Sequence, residues 1–316
     1  MTASRWTAAD LPDLHGCTAI VTGANSGIGR VAASELARAG AAVTLAVRDT
    51  AKGDAAARTM AGHLTVRELD LADLASVRSF ADATTGTVDL LVDNAGVMAT
   101  PLRRTVDGFE LQIGTNHLGH FALTNLLLPR LAGRVVVVSS ELHRNGRVDL
   151  DDLDWERRPY RKWAAYAQSK LANLLFVLEL ERRLTEAGSV VRAVAAHPGY
   201  AATNLQGHTG NRLSDVVGAA GARLFAQSET MGALPTLFAA TADVPGGSYV
   251  GPDGFRNLRG HPAINLPAPR ALDASTARRL WELSEQLTGV SWALGRSATT
   301  PPRQHGVENG GSASTD

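Results

Sequence analysis

Thr18-Ala-Ile-Val-Thr22 runs straight into Gly23-Ala-Asn25-Ser26-Gly27-Ile28-Gly29, and the reading of these twelve residues decides the fold class. Five uncharged, largely β-branched or apolar residues suit a strand covered on both faces. Three glycines follow where the chain changes to a helical period, marked by Val31 and Leu36 among small neighbours. A strand emptying through a glycine turn into a helix is the opening of a strand-helix-strand unit on a parallel sheet.

The same alternation continues outward. Strands are expected at residues 18–22, 42–47, 64–69, 88–92, 134–139 and 190–196, with a short seventh at 248–250. Between them, Phe109, Ile113, Leu118, Phe121 and Leu126 recur along one helix, and Leu171, Leu174, Leu175, Leu178 and Leu184 form the apolar side of another from about Trp163 to Thr185. The pattern predicts an α/β protein with one doubly wound domain, a seven-stranded, mainly parallel sheet flanked by helices. Residues 1–14 read as an N-terminal extension and 15–298 as the domain. A Gly-rich substrate lid is expected at about 200–232, and residues 299–316, rich in Pro, Gly, Ser and Thr, read as a disordered tail.

Composition narrows the function classes. The 316 residues carry 31 basic and 31 acidic side chains, so the basic excess of a phosphate-gripping nucleic-acid binder is missing. The single cysteine, Cys17, excludes an internal disulfide and agrees with a reducing, cytoplasmic compartment. No run is long and apolar enough to be read as a membrane span, and the first residues lack the pattern of a secretory signal. His117, His120 and His143 do not share metal spacing with carboxylates, so no metal is expected.

Two motifs carry chemistry. In the glycine turn, close backbone approach and the unpaired N–H groups of a helix N-terminus suit a dinucleotide pyrophosphate. Its Gly-x-x-x-Gly-x-Gly spacing departs from Gly-x-Gly-x-x-Gly, and an ordinary glycine-rich turn is the competing reading. The second is Tyr166-Ala-Gln-Ser-Lys170. Residues four apart share a helical face, so the lysine stands near the phenol and is expected to lower its pKa from about 10, making an acid or base usable near neutrality. Lysine is scarce here, with Lys52, Lys162 and Lys170 against 28 arginines, and one retained beside a tyrosine points to chemical need.

Together these motifs resemble the short-chain dehydrogenase/reductase superfamily, which has a Rossmann fold, over about residues 10–290. Later landmarks fall in the family's order: Asn94-Ala-Gly96 after the fourth strand, Asn116 within Thr115-Asn-His-Leu-Gly-His-Phe121, Ser139-Ser140 after the fifth, then Pro198-Gly199 and Thr203. The Asn-His-Leu-Gly-His-Phe segment and Tyr249-Val-Gly-Pro-Asp-Gly254 are most similar to the retinol dehydrogenase and protochlorophyllide-reductase-like branch. The resemblance implies hydride exchange between a nicotinamide and a carbonyl or alcohol. Tyr166 would be the general acid/base, Ser140 the substrate-orienting serine, Lys170 the holder of the nicotinamide ribose, and Asn116 the residue holding a water that leads from the lysine to solvent. Ser139 would exchange roles with Ser140 if the strand register slipped by one.

Gly23, Asn25, Ser26, Gly27, Ile28, Gly29, Arg48, Asp70, Leu71, Asn94, Ala95, Gly96, Tyr166, Lys170, Pro198, Gly199 and Thr203 are the expected cofactor contacts. Simple counting from Gly29 to Asp49 suggests NAD. The resemblance instead puts Val47 at the discriminating strand end, and Arg48 after it marks NADP, because a guanidinium pairs with a 2′-phosphate. Asp49 reads as an N-cap of the next helix. Met98, Leu142, His143, Trp155, Trp163 and the lid from Tyr200 are expected to line the substrate pocket, favouring a lipophilic small molecule. Symmetric homo-oligomers are a family expectation. A non-catalytic, NADP-sensing regulator on the same fold is the alternative, and it would need only the glycines and Arg48.

Overall fold

Eight strands form one sheet in the order β3-β2-β1-β4-β5-β6-β7-β8, in a computed structural model that describes residues 5–199, 227–292 and 294. They are β1 Thr18–Thr22, β2 Ala42–Val47, β3 His63–Glu68, β4 Val88–Asp93, β5 Leu131–Val138, β6 Arg192–Ala196, β7 Tyr249–Pro252 and β8 Pro262–Asn265. All neighbours pair parallel except β7 and β8, which pair antiparallel from Tyr249↔Asn265 to Pro252↔Pro262. The expected count of seven is therefore corrected to eight. The added strand begins at Pro262, and a proline is tolerated at the start of an edge strand although it hides the strand in a propensity reading.

The helices are α1 Gly27–Arg38, α2 Thr50–Ala57, α3 Leu74–Asp82, α4 Leu111–Ile113, α5 Gly119–Leu127, α6 Lys162–Glu186, α7 Glu229–Thr241 and α8 Ala274–Thr288. A π turn, Gly114–Leu118, joins α4 to α5. Strand residues divide by parity between two cores, as a pleated sheet dictates. Val135 and Val137 face the side that carries Phe121 of α5, Leu175 of α6 and Trp281 of α8, while Val136 faces the side of α1 and α7. Phe121, Phe176 and Trp281 meet in mutual ring contacts of 4.9 to 5.7 Å.

The expected N-terminal extension packs on the second core. Trp6 lies edge-on to Phe238 at 5.4 Å, its carbonyl accepts from His261 Nδ1 at 3.0 Å, and Arg38 donates to Ala8 O at 2.8 Å. Cys17, at the entry to β1, is partly buried, and its thiol is pushed up to about 11 by desolvation, with the Asp89 charge adding to the effect. Residues 200–226 of the expected lid and the tail 299–316 lie outside the described residues, and residues 229–232 open α7. No helix among the described residues is long and apolar enough to cross a membrane.

Sheet order reverses between β1 and β4, so the helices that follow them leave on opposite faces and a crevice opens at the strands' C-terminal ends. The glycine turn, Asn94-Ala-Gly96, Ser140, Tyr166, Lys170 and Pro198-Gly199 border that crevice.

Candidate active site

A cavity of about 1260 Å³ fills the crevice. Its floor is the glycine turn. Gly23 adopts φ +66° and a Cβ there would meet Ala95 at 3.0 Å, while a Cβ on Gly29 would stand 2.3 Å from Asn94 Nδ2. The bare backbones thus let β1, α1 and the turn after β4 close on one another. Ser26 is the N-cap of α1 but makes no capping hydrogen bond with its side chain, and Ser26, Gly27, Ile28 and Gly29 all border the cavity. An uncapped helix start aimed into a cavity, with Arg30, Arg48 and Lys52 on the same wall, is a donor set that fits an anionic dinucleotide.

Arg48 follows the last residue of β2, and Asp49 caps α2 by accepting from Lys52 N at 3.0 Å, as the sequence predicts. Asp49 also pairs with Lys52 Nζ at 3.0 Å, so the acid next to Arg48 already has a cation. Asp70, Leu71, Asn94, Ala95, Gly96, Pro198 and Gly199 border the same cavity. Asn25 does so too, whereas Thr203 lies outside the described residues.

Opposite stand Ser140, Tyr166 and Lys170. The strand pleat separates the two serines. Ser139 Oγ turns away and donates to Lys170 O at 2.7 Å, whereas Ser140 ends the strand run, caps a 3-10 turn through Leu142 N at 3.2 Å and bonds the Tyr166 side chain. Lys170 Nζ donates to Val138 O at 3.0 Å and stands 5.8 Å from the centroid of the Tyr166 ring.

The lowered tyrosine pKa expected from the spacing is not what the protein alone produces. Burial pushes the Tyr166 phenol up to about 12, with Ser140 pulling the other way, and burial brings the Lys170 ammonium down to about 8. Both groups have lost water, which disfavours the charged form of each, and at this separation desolvation outweighs their attraction.

Asn116 lies beneath the wall, fully buried within the π turn. Its Oδ1 accepts from Val97 N at 2.8 Å, and its Nδ2 donates to Val97 O and to Ser169 Oγ at 2.9 Å each. Its carbonyl oxygen faces His120 Nδ1 at 3.1 Å, and His120 Nε2 lies 2.9 Å from Thr22 Oγ1. A carbonyl only accepts, so Nδ1 carries the proton and Nε2 takes that of Thr22. Thr22 Oγ1 in turn accepts from the amides of Asn94 and Ala95 at 2.9 Å each. Burial pulls His120 down to about 3, and it ties three site segments together as a neutral ring. The bulge in the helix brings His120 under Thr22.

Met98, Leu142 and Trp163 border the cavity as expected. His143 and Trp155 do not. His143 turns inward, bonding Ser140 O at 2.7 Å and accepting from Ala268 N at 3.0 Å. Trp155 is stacked under the Arg158 guanidinium at 3.8 Å and holds Tyr160 edge-on at 5.7 Å. Leu258 completes the mouth, brought there by the turn between β7 and β8 that the sequence reading did not include.

The short chain dehydrogenase family profile matches residues 17–213. The chain belongs to this family. Its similarity extends to human retinol dehydrogenase 13, 44% identical over 296 residues covering 88% of this chain and 86% of that one. Mouse retinol dehydrogenase 14 is 40% identical, covering 88% of this chain and 87% of its own. Among solved structures, an uncharacterized protein from Mycobacterium Paratuberculosis is 57% identical with a TM-score of 0.81, covering 92% of this chain and all of that one. A short chain dehydrogenase/reductase from Burkholderia phymatum in complex with NAD shares the fold at 22% identity and a TM-score of 0.57, covering 72% of this chain and 86% of its own. The short-chain dehydrogenase is thus an oxidoreductase by family, in the branch of the retinol dehydrogenases, as its motifs imply.

Proposed function

We propose that this short-chain dehydrogenase exchanges hydride between NADP(H) and the carbonyl or alcohol of a lipophilic small molecule, with Tyr166 as the general acid/base. The observation that carries the reading is the meeting of Ser140, Tyr166 and Lys170 on the wall opposite an uncapped helix N-terminus within one cavity. The dinucleotide, when bound, supplies or receives the hydride.

The chain's own groups handle the rest. The α1 amides and the glycine turn bind the pyrophosphate, and Arg48 pairs with a 2′-phosphate in a charge-assisted contact. Lys170, with Val138 O holding one of its protons, is oriented toward the nicotinamide ribose. Ser140 Oγ–H orients the substrate oxygen, and in the reductive direction the Tyr166 phenol gives it a proton as negative charge develops there. A phenol with a pKa of about 12 holds its proton firmly at neutral pH, and the negative charge developing on the substrate oxygen, with the Lys170 ammonium close by, draws it toward transfer. Met98, Leu142, Trp163 and Leu258 exclude water and favour apolar substrates.

The test is reductase turnover across aliphatic, aromatic and steroidal carbonyls with NADPH and NADH. Faster turnover with NADPH is expected. Tyr166→Phe should reduce kcat by about 100-fold or more while NADPH still binds, as followed by nucleotide fluorescence. Full activity in that variant overturns the catalytic assignment, and faster turnover with NADH overturns the Arg48 assignment. An inactive protein that binds NADPH tightly would be the sensing regulator.

A further inference from the structure

The segment Val97–Thr100 leaves the Asn94-Ala-Gly96 turn and forms the cavity wall through Val97, Met98 and Thr100. Its backbone is unusual. Ala99, fully buried, has φ +51°, a left-handed conformation that side-chain-bearing residues seldom adopt unless their surroundings over-determine it.

The surroundings do so through bonds from distant elements. Gln112 Oε1 accepts from Ala99 N at 2.8 Å. The Gln112 amide then donates to Tyr160 Oη at 2.8 Å and to Lys162 O, at the start of α6, at 2.9 Å. Tyr160 Oη lies 3.1 Å from Thr100 O and 2.9 Å from Glu110 Oε1. The phenol has one proton for these two acceptors. Glu110 is fully buried, and burial holds its carboxyl above the usual range. Its other oxygen accepts from Ile113 N at 2.9 Å. These bonds tie the strained wall to the helix that carries Trp163 and Tyr166.

We propose that Gln112 and Tyr160 are positioning residues that fix the substrate wall of the cavity and so set recognition of the carbonyl substrate, leaving cofactor binding to the other side. The proposal rests on the reading of this cavity as a carbonyl-reductase site. Gln112 bonds Ala99 and Tyr160 bonds Thr100, beyond the Asn94-Ala-Gly96 turn, and neither Gln112 nor Tyr160 borders the cavity. Loosening them widens the wall without touching Tyr166, Lys170 or the glycine turn.

Tyr160→Phe deletes one hydroxyl from a half-buried ring and is the milder variant, with Gln112→Met as the stronger. KM for aromatic and steroidal carbonyls is expected to rise about five- to ten-fold in each, with kcat and the KM for NADPH changed less than about two-fold. Amide hydrogen exchange over residues 97–100 should quicken, while the thermal midpoint of Tyr160→Phe stays near that of the parent protein. An unchanged carbonyl KM, or a parallel rise in the KM for NADPH, overturns the proposal. Should the parent protein reduce no carbonyl, the proposed function falls on that result, and exchange decides the staple alone: quicker exchange at 97–100 supports it and unchanged exchange overturns it.

Discussion

The proposed preference for NADP(H) rests on a single side chain, Arg48, and its neighbourhood makes the assignment testable. Asp49, the acid next in sequence, is engaged with Lys52 and the start of α2, and among the described residues no ion pair cancels the guanidinium charge toward a phosphate. Arg48→Ser should raise the KM for NADPH about 10- to 100-fold, the worth of a charge-assisted contact, with the KM for NADH little changed, as read from initial rates. Much of the site was legible at this scale. Tyr166 and Lys170 announce themselves by helical spacing, and the family resemblance singles out Ser140 beside Ser139. Gln112 and Tyr160 were not legible, because their partnership spans 48 residues of chain and joins the single turn of α4 to an irregular segment whose course no periodicity reports. His143 and Trp155 were misplaced for a related reason. Aromatic side chains after a strand suit both a pocket wall and a core, and the backbone turn decides which.

Element-scale reading succeeded where burial imposes a period. The first six strands lie within a few residues of expectation because all but the edge strand β3 are buried over much of their length, and α6 follows its leucines. It failed at β8, where prolines sit at and beyond the strand, and at the π turn, where one extra residue per turn hardly disturbs apolar recurrence while it swings Asn116 and His120 toward the site. It also left out α8, which closes the face of α5 and α6. Trp281 of that helix is 2% exposed and contacts both Phe121 and Phe176. Trp281→Ala should cost about 3–5 kcal/mol in urea unfolding. The affinity for NADPH at temperatures where the variant is folded should hold, because the glycine turn lies on the opposite core.

Across the whole molecule, buried histidines set the acid limit. Burial pulls His117 and His120 down to about 3 and His197 to about 4, so all three stay neutral in the folded chain while unfolded histidine protonates near 6.5. The unfolded state then binds more protons, and stability falls as pH drops below 6.5, at a limiting slope of about 1.4 kcal/mol per pH unit for each ring. Asp93 acts oppositely. Its carboxyl is pushed up to about 8 by burial, opposed by the Thr124 hydrogen bond, so the folded state holds a proton that the unfolded chain has lost above about 4. Three histidines outweigh one aspartate between pH 6.5 and 5, and thermal unfolding across that range should show a falling midpoint on acidification. Asp93→Asn should raise the midpoint more at pH 7.5 than at pH 4, since only at the higher value does the parent protein hold a costly proton.

The sole thiol, at the entry to β1, is thiolate to only about one part in a thousand at pH 8, given its value of about 11. Maleimides and iodoacetamides should therefore modify the native protein slowly, as intact mass would record. A reporter cysteine set on the rim, as in Leu258→Cys, can then carry a fluorophore beside the silent native thiol, and substrate entry becomes visible by light in a chain that needs no further cysteine removed.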